Sequence, residues 1–137
     1  MNRIFVDTGA WYALVDNRDP AHEKASAFFV HNTIPLITSN YVFDETVTLL
    51  RKKVRWQTAF DFGERLRSSE RLQIMPILET DEQKGWTIFA RYRDQDFSYT
   101  DCTSFAIMQR LKISTAFTFD HHFRVMRFNV VPSFANS

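Results

Sequence analysis

Four carboxylates, Asp7, Glu45, Asp101 and Asp120, are the side chains of this sequence best placed to do chemistry. Asp7 ends the apolar run Ile4-Phe5-Val6, and Asp120 ends Ala116-Phe117-Thr118-Phe119. On helices, Glu45 would share a face with Val42 and Leu49, and Asp101 with Phe105 and Met108. An ionised carboxylate among apolar neighbours is costly unless it is paired or holds a cation. Convergence of the four on a divalent metal would remove that cost at every position. Oxygen donors without Cys suit Mg2+ or Mn2+ better than zinc. Such ions serve phosphoryl chemistry, where they activate water and stabilise the leaving oxygen.

Each acid also has a local explanation. Asp7 could cap a short helix, although Thr8 could cap instead and free Asp7 for a ligand role. Glu45 could pair with a nearby Arg. Ser98-Tyr99-Thr100-Asp101 fits a capping box, and an acid in a first turn also suits the helix dipole. For Asp101, capping and ligation are compatible. Asp120 could cap the turn after its strand. His121 and His122 follow it, but adjacent His side chains diverge in most backbone conformations, so a shared metal is not expected there. Asp44, Asp94 and Asp96 are expected to be solvated.

The elements that must position these acids can be read from alternating apolar runs and amphipathic stretches. Strands are expected over residues 4–6, 35–38, 72–77, 115–119 and 129–131. Helices are expected over 9–15, from Asp19-Pro20 to about His31, over 40–53 and 55–68, from a Thr80/Gln83 capping box onward, and over 98–112. Strands alternating with helices imply a three-layer α/β/α sandwich around a central parallel sheet of four to five strands. Sites in such sheets lie beyond the C-terminal strand ends, where Asp7 and Asp120 both fall.

The 137 residues suit one domain, 1–137, with a substantial core. With 45% hydrophobic residues, three Gly and four Pro, disorder is expected only at Ala135-Asn136-Ser137. The single Cys102 excludes an internal disulfide and a Cys-rich zinc site. The start is too soon polar for a signal peptide, and no apolar run approaches membrane-spanning length. A cytoplasmic location with no membrane partner is therefore expected.

A net charge of +1 carries no bulk signature of nucleic-acid binding. Locally, Arg51-Lys52-Lys53-Val54-Arg55 is the densest basic run, and Arg91/Arg93 and Arg124/Arg127 are lesser ones. Arg51, Lys52, Lys53 and Arg55 are candidates for phosphate contact, beside the simpler reading of a helix end that suits its dipole. Phe97 or Tyr99 could stack on a base if that phosphate belonged to a single-stranded nucleic acid. Phe28, Phe29, Trp56, Phe60 and Phe62, with Trp11 and Tyr12, exceed what their small helices need for one core face. Part of this set is expected to form a partner surface.

Taken in order, Phe5-Val6-Asp7-Thr8, Tyr41-Val42-Phe43-Asp44-Glu45, Ser98-Tyr99-Thr100-Asp101 and Thr118-Phe119-Asp120-His121-His122-Phe123 resemble the PIN-domain nucleases, and within them the VapC-type toxins of toxin–antitoxin pairs. The resemblance spans nearly the whole chain. It implies a metal-dependent endoribonuclease with Asp7, Glu45, Asp101 and Asp120 as catalytic and metal-binding acids on Mg2+ or Mn2+. It also implies hydrogen-bonding support from Thr8, Thr118 and Ser39, an RNA substrate, a small antitoxin partner and a homodimer. The sequence departs from the family at Gly9, where many relatives have a polar side chain, and at His122, where some carry another acid.

On this reading a metal held by Asp7, Asp101 and Asp120 activates water, and Glu45 holds the water or a second ion. Hydrolysis then leaves a 5′-phosphate and a 3′-hydroxyl. Three other readings fit parts of the pattern: a PIN-like nuclease for RNA processing or structured DNA outside any toxin pair, a metal-dependent phosphatase or receiver-like module, and a non-catalytic RNA-binding domain.

Overall fold

Ile4, Phe5 and Val6 are all buried, as a strand covered on both faces requires, and they form β1 (Ile4–Val6) at the middle of the sheet. The structure, a computed structural model, describes residues 2–133. The tail expected to be disordered, 135–137, lies outside the described residues. After β1 come α1 (Thr8–Val15), α2 (His22–His31), β2 (Leu36–Ser39), α3 (Asn40–Lys53), α4 (Trp56–Ser68), β3 (Leu72–Met75), α5 (Glu79–Arg91), α6 (Tyr99–Leu111), β4 (Thr115–Phe117), α7 (His122–Val125) and β5 (Asn129–Val131).

The strands run β3-β2-β1-β4-β5, and every pairing is parallel. The chain therefore steps outward from β1 through β2 to β3, then returns to the other side of β1 for β4 and β5. With right-handed crossovers, that reversal puts α1–α4 on one face and α5–α6 on the other. Packing agrees with it. Trp11 of α1 meets Phe62 of α4 at 5.6 Å, and Phe62 stacks on Phe43 of α3 at 6.2 Å. On the opposite face Phe105 of α6 meets Phe123 at 4.9 Å and Phe128 at 6.0 Å. The α/β/α sandwich read from the sequence is the fold observed, with five strands.

Several boundaries differ for identifiable reasons. Asp19 does not cap α2. Its carboxylate accepts from the Ala21 amide at 2.8 Å and shapes a turn, so the helix starts at His22. Thr80 and Gln83 form no capping box. Asp81 accepts from the Leu78 amide at 2.9 Å and also grips Arg110, which fixes the start of α5 two residues earlier, at Glu79 with Leu78 as N-cap. The strand expected over 115–119 ends at Phe117, because Thr118 turns its hydroxyl to Asp7 and the chain leaves the sheet. The single-turn α7 was not expected; it is too short to carry a periodic signal.

Two hydrogen bonds lock the sheet beneath the first acid. Thr38 donates its hydroxyl to the Val6 carbonyl at 2.8 Å, and the Trp11 indole donates to Thr38 Oγ1 at 3.3 Å. Together they tie the entry of α1 to β1 and β2 next to Asp7.

Candidate active site

The strand order reverses between β1 and β4, and a crevice opens beyond their C-terminal ends, as expected for a doubly wound sheet. Asp7 follows β1 and donates its amide to the Phe117 carbonyl of β4 at 3.1 Å. Its side chain is buried and accepts from the Thr118 hydroxyl at 2.9 Å. Asp7 occupies the N-cap position of α1 without side-chain capping, so the competing local explanation for this acid fails. Thr8 is no cap either. Its hydroxyl donates to Glu45 Oε1 at 2.5 Å and joins the start of α1 to α3.

Asp101 caps its helix, as its local pattern predicts. It completes a capping box in which its amide donates to Ser98 Oγ at 2.9 Å and its Oδ2 accepts from the Ser98 amide at 3.0 Å. It also lines the crevice. Asp120 is oriented by its own amide, which donates to Thr118 Oγ1 at 3.0 Å, and its Oδ1 accepts from the His122 amide at 2.9 Å. Thr118 thus holds Asp7 and Asp120 together.

All four acids line one open cleft of about 600 Å³, with Thr8, Gly9, Asp19, Asp96, Ser98, His121 and His122 on its walls. Glu45 is exposed, not embedded in the apolar stripe that its face-mates Val42 and Leu49 predict. Its hydroxyl partner on Thr8 replaces the Arg pairing considered for it.

Burial pushes Asp7 up to about 7, and the nearby Asp101 and Asp120 charges push the same way, against the Thr118 hydroxyl and the Thr8 amide. Burial likewise raises Asp101. The Asp120 charge adds to that rise, and the Ser98 amide and His122 oppose it. Carboxylates that repel one another in a low-dielectric crevice are the condition that a divalent cation relieves. The donor set is mostly oxygen, so the residues fit Mg2+ or Mn2+.

Other sequence expectations fare differently. Ser39 does not reach an acid. Its hydroxyl accepts from the Val42 amide at 3.1 Å and caps α3, so it acts on the helix that carries Glu45. Of the basic run, Lys52 lines the groove that adjoins Glu45, together with Tyr41, Thr48 and Thr100. Lys53 instead sits 5.8 Å over the Tyr12 ring, and Arg51 and Arg55 line neither the cleft nor that groove. Phe97 is buried against Phe105 and His122 and is not available for base stacking. Tyr99 is half-buried, beside Tyr41 and exposed Trp86.

The two His side chains do not diverge. Their rings lie 4.5 Å apart, and ligand atoms of Asp120, His121 and His122 all fall within 4.8 Å of one another. The αR conformation of His121 at the entry to α7 brings them together, a detail carried by backbone and not by residue type. Asp96 and Asp19 were read as a solvated loop acid and a helix cap, yet both border the cleft. The position of Asp96 just ahead of Ser98 was the available hint.

The family model for the PIN domain matches residues 4–129. The chain is 31% identical over 125 residues to the 23S rRNA-specific endonuclease VapC20 of Mycobacterium tuberculosis, covering 91% of this chain and 95% of that protein. It is 32% identical over 113 residues to a VapC ribonuclease of Archaeoglobus fulgidus, covering 79% of this chain and 71% of the relative. The crystal structure of VapC20, described as a sarcin-ricin loop cleaving toxin, superposes with a TM-score of 0.87 at 30% identity over 91% of this chain and 95% of that one. A FitAcB structure from Neisseria gonorrhoeae shares the fold at a TM-score of 0.65 and 18% identity, covering 93% of this chain and 95% of that one. The chain belongs to the PIN-domain family.

Proposed function

We propose that this protein is a metal-dependent endoribonuclease, the toxin component of a toxin–antitoxin pair, with Asp7, Glu45, Asp101 and Asp120 as its catalytic and metal-binding acids. One observation carries the reading: four acids from separate segments line one crevice at the strand-order reversal, and burial and mutual repulsion hold two of them above the usual carboxylate range.

When bound, Mg2+ or Mn2+ would supply an activated water and offset charge on the phosphate. Asp7, Asp101 and Asp120 would hold the ion, and Glu45 would orient its water from the α3 wall. Thr118 and Thr8 fix Asp7 and Glu45 before substrate arrives, which lowers the cost of reorganisation during reaction. Lys52, beside Glu45, is placed to neutralise a flanking phosphate of the RNA strand. The products would carry 5′-phosphate and 3′-hydroxyl ends.

Among RNAs, 23S ribosomal RNA is the first substrate to test, because a relative named for that specificity aligns over nearly the full chain. The decisive assay is cleavage of total RNA with Mg2+ or Mn2+ and with EDTA, for the wild type and Asp7→Asn. Metal-dependent cleavage lost in Asp7→Asn supports the assignment, and equal cleavage by both proteins removes it.

A homodimer and a small antitoxin are the proposed protein partners. Of the aromatic set flagged in the sequence, Phe28 turns inward onto Phe117 and Phe62 onto Trp11. Phe29, Trp56 and Phe60 remain exposed. Trp11, Leu14, Phe29, Phe62 and Leu66 line an apolar groove of about 470 Å³ between α1, α2 and α4, of a size to take side chains of a partner segment. A monomer in light scattering that also fails to bind the product of a neighbouring antitoxin gene would remove the partner reading and leave the nuclease reading intact. No helix among the described residues is long and apolar enough to cross a membrane.

A further inference from the structure

We propose that His122 is a positioning residue that closes the Asp101–Asp120 side of the centre through Nδ1 and restricts it to one divalent cation; this rests on the metal-centre reading above. His122 Nδ1 lies 3.2 Å from Asp101 Oδ2 and 3.0 Å from Asp120 Oδ1. An ionised carboxylate only accepts, so this nitrogen carries the hydrogen and donates it to Asp101, while Asp120 Oδ1 lies beside the same nitrogen at ion-pair distance.

Both oxygens it faces have a second donor. Asp101 Oδ2 takes the Ser98 amide, and Asp120 Oδ1 takes the His122 amide. Among the described hydrogen bonds, Asp101 Oδ1 and Asp120 Oδ2 are left for a cation. The imidazole has little freedom to swing aside. Its side chain is 11% exposed, and Phe97 packs on it at 5.1 Å in an edge-on arrangement.

A two-cation centre places its ions about 3.5–4 Å apart and shares carboxylates between them. A second ion on this side would need oxygen ligands at about 2.0–2.2 Å. The imidazole already stands at hydrogen-bond distance from both oxygens that would supply them. The first ion would keep Asp7 and the remaining oxygens of Asp101 and Asp120, with Glu45 beside its water, so ligation there would leave the His122 contacts undisturbed.

The test separates the two ring nitrogens. An Asn side chain can present an N–H near the position of Nδ1, whereas Gln reaches toward that of Nε2. Mn2+ bound per chain would be counted by the loss of the free-ion EPR signal, with thermal unfolding in EDTA recorded for every variant. The wild type and His122→Asn should each bind one Mn2+ with affinities within about threefold, and His122→Gln should bind about tenfold more weakly. His122→Asp, which exchanges the donor for ligand oxygens, should bind two. Two ions on the wild type, or one on His122→Asp, would overturn the inference but leave the metal centre standing. So would wild-type behaviour in His122→Gln but not in His122→Asn, which would make the ring a ligand through Nε2. If His122→Asp does not fold, the Asn and Gln pair still decides. No Mn2+ binding to the wild type would overturn the metal-centre reading itself.

Discussion

Asp7 and Thr118 lie 111 positions apart in sequence, and the hydroxyl of one donates to the carboxylate of the other at 2.9 Å. That bond joins the ends of β1 and β4, and the same hydroxyl oxygen accepts the Asp120 amide at 3.0 Å. Thr118→Val keeps the shape and removes both partners. Stability should fall by about 1–3 kcal/mol through the unsatisfied buried groups. RNA cleavage should fall by roughly 10- to 100-fold, as when a group that orients a metal ligand is lost. The hydroxyl helps keep Asp7 ionised, so the acid limb of the pH–rate profile should also move to higher pH. A variant with unchanged activity and an unchanged profile would show that Thr118 only packs.

Asp7 makes the metal-free protein sensitive to pH in a defined direction. Its carboxyl titrates near 7 when folded, above its ordinary value of 3.8. Between those values the folded state holds the proton more tightly, so this group favours folding most at low pH. Its contribution is lost as pH rises through about 7. Asp7→Asn removes the effect. In EDTA the variant should therefore gain on the wild type from about pH 4 to pH 7, and should exceed its stability at pH 8 by an amount on the order of a few kcal/mol. Added Mn2+ should raise the wild-type Tm at pH 8 and leave that of Asp7→Asn nearly unchanged. Parallel stability curves for the two proteins would contradict the raised carboxyl.

The parts of this site that were legible in the sequence are those set by periodicity and by strand ends. Ile4-Phe5-Val6 and Ala116-Phe117 read as buried strands, so Asp7 and Asp120 could be placed at one sheet edge before any geometry was known. Ser98 and Asp101 carried a capping box that the structure contains. What could not be read depended on contacts between distant segments. Thr8 meets Glu45 across α1 and α3, and His122 meets Asp101 across 21 positions. Asp81 carries no local signal for the same reason: its partner Arg110 lies on the next helix, and the capping pattern at Thr80 and Gln83 forms no box.

The Asp81–Arg110 pair should govern acid stability on the α5–α6 face. The guanidinium contacts both carboxylate oxygens, at 2.8 and 2.9 Å, and Asp81 is 2% exposed. Burial pushes this carboxyl up, but Arg110 and the Leu78 amide hold it below the usual range. A depressed carboxyl stabilises the fold above its unfolded value of about 4, and that contribution is lost as pH falls through the folded value. Arg110→Met leaves a buried charge unpaired and should cost about 2–4 kcal/mol at pH 7, toward the lower end because the guanidinium is partly exposed. The difference between the two proteins should shrink below about pH 4. A constant difference across the acid range in urea denaturation would show that packing, not charge, is what Arg110 supplies.

Gly63 and Gly85 sit in helix interiors, yet alanine should act in opposite directions at the two. A Cβ on Gly63 would meet Phe43 Cζ at 3.5 Å and Val47 Cγ2 at 3.9 Å, which is ordinary contact. Gly63→Ala should therefore gain roughly 0.5–1 kcal/mol from helix propensity. A Cβ on Gly85 would lie 3.2 Å from Thr103 Cγ2 and 3.3 Å from the Thr103 Cα and amide nitrogen. Backbone cannot turn away as a side chain can, so α5 and α6 must separate. Overpacking of this kind costs about 1–3 kcal/mol and outweighs the propensity gain. The consequence reaches the candidate site, because Thr103 lies two positions along α6 from Asp101. Gly85→Ala should lower both the urea midpoint and the rate of RNA cleavage, whereas Gly63→Ala should raise the midpoint and leave the rate unchanged. Equal and positive shifts in the midpoint for both variants would mean that the α5–α6 contact yields without strain.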